Sequence, residues 1–321
     1  MVDTILRERP PSAISLLTLQ GQSYRFGGKQ MSQSGSTRLN SEQQLLYRDR
    51  GYYSPLRVLE EVEAAELCSL FLSYLEENRP RWQQLLPRDR RLYFQETHWC
   101  LRWVYRLVSH PKVLDAVEGI LGPNLMVWAS QWFPKLPGDK AYVSWHQDGA
   151  YWGLHPLNKI TSAWIALAET TPENGCMRVV PGTHKNPLLR QAETHAPDNV
   201  LSRGQAIEAE VNEAQAIDVV LRPGEMSLHH PGVIHGSGAN ISQRPRIGIS
   251  VIYITPDVVQ NAAEPNLVAL VRGKDEFAHF ALAEPPQADE PCGTSKIQAE
   301  ALNRQAGSIL SKDRPGAVNR T

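Results

Sequence analysis

The spacing of apolar residues changes character once along this chain, near residue 122. Before it the apolar positions recur at helical spacing; after it they come in short runs cut by turn signals. Over residues 60–78, Val62, Leu67, Leu70, Phe71, Tyr74 and Leu75 fall on one stripe and predict an amphipathic helix. Residues 97–109 and 111–121 predict two more, the latter with Pro111 in its first turn and Gly122 just past its end. β-rich runs follow at 125–133, 141–146, 161–168, 176–180, 217–221, 225–229 and 246–254. Pro137-Gly138-Asp139, Asn174-Gly175, Pro181-Gly182, Pro223-Gly224 and Pro231-Gly232 separate them. Helices first and many short strands after predict a mainly β fold with flanking α-helices. Its expected core is a double-stranded β-helix, a cupin-like jelly roll.

The same pass divides the chain. Residues 1–40, rich in Ser, Gln, Gly and Arg, read as a disordered N-terminal arm, with Met31 as an alternative start. Residues 41–285 form the expected domain, helical over 55–122 and jelly roll over 124–256. Residues 286–321 are expected to be a peripheral tail. The polar connection 181–213 has the length of an ordered loop that covers a site.

Composition then narrows the class. A hydrophobic content of 41% and a charged content of 21% are globular values. A net charge of −1 argues against a nucleic-acid partner. No membrane-length apolar run or signal-peptide pattern appears, and the four cysteines form no CxxC motif. The expected setting is the reducing cytoplasm, with no membrane partner.

The chemistry-bearing feature is Trp145-His146-Gln147-Asp148 with a distant second histidine. Side chains at i and i+2 of a strand share a face, so His146 and Asp148 can grip one ion while Gln147 points away. Two histidines and a carboxylate on one face are the ligand set of non-haem Fe(II) oxygenases, with open positions opposite for a cosubstrate and O2. His229, His230 and His235 all lie near enough to supply the second imidazole. His229 and His230 cannot both face the interior; His235 follows the Pro231-Gly232 turn and is the expected ligand. Arg246, eleven residues beyond it, opens a run that reads as buried. A guanidinium there needs an anion, and its donor fork suits the far carboxylate of 2-oxoglutarate.

Several motifs stand in order around these residues. They are Leu121-Gly122-Pro123-Asn124, residues 131–138 (Gln131 to Gly138), Glu173-Asn174-Gly175-Cys176, Pro181-Gly182-Thr183-His184 and residues 235–240 (His235 to Asn240). With the HxD triplet and Arg246, the chain resembles the phytanoyl-CoA hydroxylase group of Fe(II)/2-oxoglutarate dioxygenases over roughly residues 45–285. That group includes ectoine hydroxylase and the syringomycin-type halogenases. The resemblance implies Fe(II), 2-oxoglutarate and O2 as cofactor and cosubstrates, with release of succinate and CO2. It implies a 2-oxoglutarate contact at Ser237, and another at Ser162, where the halogenases carry a Thr. In those halogenases a small residue replaces the ligating carboxylate and chloride takes its place. Asp148 is intact here, so the implied outcome is hydroxylation of an aliphatic C–H bond.

Gln131, Tyr151, Trp152, Trp164 and Asn174 are the substrate-pocket candidates, and Arg178, Arg203 and Arg272 could meet an anionic substrate. The expected partner is a small molecule, polar or anionic, or one tethered to CoA or a carrier protein. Desaturation, cyclisation, organophosphonate oxidation and halogenation are alternatives within the same chemistry. A cupin-like isomerase or metal-dependent ligand-binding protein is the alternative outside it.

Overall fold

A computed structural model describes residues 37–310 apart from 83, 86–90, 197 and 202–203. The expected arm lies outside the described residues up to position 36. Residues 37–40 are docked: Leu39 is buried, and Asn40 forms a reciprocal capping box with Gln43 at the head of the first helix.

Among the described residues the first elements are α1 (Ser41–Arg50), β1 (Tyr52–Arg57), α2 (Glu61–Trp82), α3 (Arg102–Val108) and α4 (Pro111–Leu121). The first half of the β region holds β2 (Leu125–Trp132), β3 (Val143–His146), β4 (Leu154–His155), β5 (Ile160–Ala166), β6 (Met177–Val180), β7 (Gln191–Glu193) and β8 (Gln205–Ile207). The second half holds β9 (Ile217–Val219), β10 (Glu225–His229), β11 (Ile234–Ser237), β12 (Gly248–Ile254), β13 (Val259–Gln260), β14 (Leu267–Arg272) and β15 (Ala281–Leu282). Helix α5 (Lys296–Leu310) follows. A seven-stranded sheet runs β1-β10-β5-β12-β2-β14-β15, and a four-stranded sheet runs β3-β11-β6-β9. All their pairings are antiparallel except β14–β15.

The large sheet is buried on both faces, and its alternation sets what enters the barrel. Ala163, Ile165, Met226, Leu228, Ile249, Val251 and Tyr253 pack outward against the helices, in one core with Phe71, Trp99, Val104 and Val117. The intervening positions, Ser162, Trp164, His229, Ser250 and Ile252, line the interior with residues of the small sheet.

Three sequence readings are corrected. Residues 52–57 form an edge strand beside β10 instead of opening a helical region; Pro55 sits at its bulge, where a missing N–H is tolerated. Val62, placed on the buried stripe of α2, is 71% exposed, and Ala64 takes the core position of that first turn. The C-terminal stretch is not peripheral as far as residue 310, and residues 311–321 of the expected tail lie outside the described residues. Gln298 of α5 is fully buried and donates to the carbonyls of Leu92 (2.7 Å) and Gln95 (3.0 Å), while Ala301 and Leu302 enter the core. A helix anchored by two glutamines and one adjacent apolar pair leaves little hydrophobic periodicity to read. Among the described residues, no helix is long and apolar enough to cross a membrane.

Candidate metal centre

His146 ends β3 and pairs directly with His235 of β11 across the small sheet. Their rings lie 4.0 Å apart between centroids. Asp148 follows two residues later, at the start of a short 3-10 turn that folds its side chain back toward both rings. His146 Nε2 is 3.4 Å from Asp148 Oδ1, and His235 Nε2 is 3.8 Å from Asp148 Oδ2. The three side chains each bring a ligand atom within 4.8 Å of the others, the one such group among the described residues.

The protonation of the site suits a cation. His146 Nδ1 donates to Ser144 O at 2.8 Å and His235 Nδ1 donates to Val233 O at 3.0 Å. A carbonyl only accepts, so each proton sits on Nδ1 and each Nε2 lone pair points inward. Burial and the neighbouring His146 push the His235 imidazolium well below its ordinary range. Burial works to raise Asp148, yet the surrounding imidazoles, His235 first, hold it far below the usual carboxylate range. Two imidazoles and one ionised carboxylate fit a first-row divalent metal.

Beside this group lie two buried basic side chains, neither in an ion pair with a carboxylate among the described residues. Arg246 is 2% exposed; it donates to Gly175 O (2.6 Å) and Phe133 O (3.1 Å) and stacks on Trp164, and its Nε has no partner. Burial lowers it to about 10. Lys135 is 1% exposed; its ammonium donates to Ser237 Oγ (2.7 Å) and to Gly238 O. Burial and the charge of Arg246 bring it down to about 6. Reciprocal backbone hydrogen bonds between Lys135 and Arg246 fix the two side by side. Gly175 is required where it stands: its φ is +75°, and a Cβ would lie 2.4 Å from Gly238 O. Gly248 leaves room for Trp164, whose ring a Cβ would strike at 2.4 Å.

All these groups open on a cavity of about 380 Å³ between the sheets. Of the substrate candidates, Gln131, Tyr151, Trp152 and Trp164 line it; Ser162 and Ser237 do as well or abut it. Ser162 Oγ is 3.4 Å from Asp148 Oδ2. Asn174 does not join them. Its amide closes the 172–174 turn by accepting from Thr171 N and donating to Glu169 O. Arg178 and Arg272 point outward into ion pairs with Glu213 and Asp218, and with Glu118 and Asp115. Arg203 lies outside the described residues. Sequence reasoning missed Lys135, His229, and the contribution of Gln305 and Ala306 from α5 to the cavity wall.

The sequence model of the phytanoyl-CoA dioxygenase (PhyH) family matches residues 47–248. The chain belongs to this family. Among PhyH relatives, a probable phytanoyl-CoA dioxygenase of Caenorhabditis elegans is 33% identical over 161 residues, 48% of this chain and 52% of that one. A probable alpha-ketoglutarate-dependent hypophosphite dioxygenase of Stutzerimonas stutzeri is 29% identical over 237 residues, 68% and 79% of the two chains. The chain spans about half the length of the phytanoyl-CoA dioxygenases it matches. In structure it is similar to apo ThoJ, a non-heme monooxygenase, with a TM-score of 0.73 and 30% identity over 85% of this chain and 100% of that one.

Lys135 yields a prediction here. At neutral pH a lysine lowered to about 6 is mostly uncharged, and an anion placed beside it raises that value. Binding of a dicarboxylate therefore takes up a proton. Calorimetry in buffers of different ionisation enthalpy reads this directly. The uptake is expected to vanish in Lys135→Met, and equal uptake in both proteins would exclude Lys135 as its source.

Proposed function

We propose that this protein is an Fe(II)- and 2-oxoglutarate-dependent dioxygenase that hydroxylates an aliphatic C–H bond of a small molecule. The observation that carries this is the adjacency of two incomplete sites in one cavity. A two-histidine, one-carboxylate group has donors only from one side, and next to it stand a buried arginine and a buried lysine, neither ion-paired with a carboxylate among the described residues. Iron, 2-oxoglutarate and O2 together supply the oxidising power, with succinate and CO2 as co-products. His146, Asp148 and His235 hold the metal and leave its other positions open. Arg246 neutralises the far carboxylate of the cosubstrate, with Lys135 adding charge and Ser237 a hydroxyl; Trp164 fixes the plane of the guanidinium.

The wall also includes Trp128, Tyr151, Trp152, Ile252 and Leu201, with the amide of Gln131 among them. It keeps water from the reacting bond and holds an aliphatic body in place. The cavity is at the lower end of ligand-site volumes, which favours a small substrate or the short acyl end of a CoA thioester whose carrier stays outside.

The test is succinate formation with Fe(II), 2-oxoglutarate and O2 across a panel of small polar acids and acyl-CoA thioesters, with and without chloride. Substrate-stimulated succinate with an oxygenated product in both salts is expected. Chlorinated product from the wild-type protein would replace hydroxylation with halogenation. Metal-dependent turnover without succinate would support a cupin-like isomerase.

A further inference from the structure

His229 stands in the metal chamber without a role in the triad. It ends β10 on the inner face, directly opposite Ser162 of β5. It is 2% exposed, its ring is 4.8 Å from that of His235, and its Nε2 is 3.7 Å from Asp148 Oδ2. Its ligand atoms do not converge with those of His146, Asp148 and His235. Its Nδ1 is buried with no hydrogen-bond partner.

These facts decide the tautomer. A buried N–H without an acceptor is costly, whereas a bare ring nitrogen facing apolar neighbours costs less. The proton therefore belongs on Nε2, which faces the one anionic oxygen in reach. Asp148 needs that contact. It sits on a turn, and the other uncharged donors facing its carboxylate are the hydroxyl of Ser162, at 3.4 Å, and that of Tyr151.

We propose that His229 is a positioning residue of the metal centre: with Ser162 it holds Oδ2 of Asp148, so that the carboxylate meets the metal in one orientation and leaves the open positions free. This rests on the metal reading above. Losing an outer partner of a metal ligand typically weakens binding about 10- to 100-fold.

The experiment uses Co(II) as the probe, titrated anaerobically into the full-length protein and read by its visible ligand-field spectrum. His229→Phe is expected to weaken Co(II) binding by about 10- to 100-fold and to change the spectrum. His229→Gln, which restores an N–H donor, recovers most of both. Wild-type affinity and spectrum in His229→Phe would overturn the proposal, as would a loss in His229→Gln as large as in His229→Phe. Nitrogen NMR of the His-labelled, Zn(II)-loaded wild-type protein gives a second reading that needs no variant. The proton on Nε2 of His229 is expected, and a proton on Nδ1 would overturn the assignment. If Asp148→Ala binds Co(II) as well as wild type, the metal centre itself is wrong, a result separable from failure at His229.

Discussion

His146→Ala, Asp148→Ala and His235→Ala are each expected to lose Fe(II) affinity by more than about 100-fold, beyond what an outer partner costs, and to form no succinate. The site has three donors and no spare: the ligand atoms within 4.8 Å of one another come from these residues alone among those described. Removing either imidazole also leaves Asp148 buried without one of the groups that hold it ionised. His230→Ala is the matched control. That ring points away from the cavity, accepts a hydrogen bond from Gly232 N at 3.0 Å and packs against His184. Anaerobic Fe(II) titration against a chromogenic chelator measures all four. An active His235→Ala beside a dead His230→Ala would overturn the assignment of the second imidazole.

The candidate triad was legible because close spacing in sequence is a local property. His146 and Asp148 are two residues apart, although the strand ends at His146 and a 3-10 turn, not strand alternation, brings Asp148 back to it; the Pro231-Gly232 turn separates His235 from the two histidines before it. The helix-then-strand order was legible for the same reason, and so was the burial of Arg246 at the head of β12. What escaped depends on register or on packing between distant segments. Whether His229 or His230 faces inward follows from the pairing of His229 with Ser162, which no local pattern contains. Lys135 reads as a loop lysine before Pro137-Gly138. It is buried because its backbone is bridged to Arg246, 111 residues on, and its ammonium is drawn to Ser237.

Polar anchors hide elements as well. Helix α5 is held by the Gln298 contacts and by a hydrogen bond of 2.8 Å from Gln305 to the buried carboxylate of Glu96. None of these raises the hydrophobic periodicity of the tail. Asn174 shows the converse. Its place beside Gly175 in a motif suggested recognition, and the structure spends its whole amide on the turn that aims Gly175 O at Arg246. Its contribution is to where the guanidinium sits.

That guanidinium carries the other large effect. Arg246→Ala is expected to raise the 2-oxoglutarate requirement steeply while leaving metal affinity close to wild type. The far carboxylate of the cosubstrate would meet Arg246 as the buried, charged guanidinium beside Lys135, which is itself brought down to about 6. Truncating one member of a buried, hydrogen-bonded charge pair typically costs about 2–5 kcal/mol, because the other charge stays desolvated; that is roughly 30- to several-thousand-fold in affinity. Arg246→Lys should recover only part of it, since one ammonium cannot match two carboxylate oxygens and would forgo the stacking on Trp164. Arg244 serves as the solvated control, its side chain 64% exposed and paired with Glu169 at the surface. Arg244→Ala should be nearly silent, in keeping with the small worth of exposed ion pairs. Titration of 2-oxoglutarate into the anaerobic Co(II)-loaded proteins separates the two sites. Equal 2-oxoglutarate affinity in wild type and Arg246→Ala would rule out the clamp. A parallel collapse of Co(II) binding would show instead that Arg246 supports the barrel around the metal, through Gly175 and Phe133, and does not hold the cosubstrate.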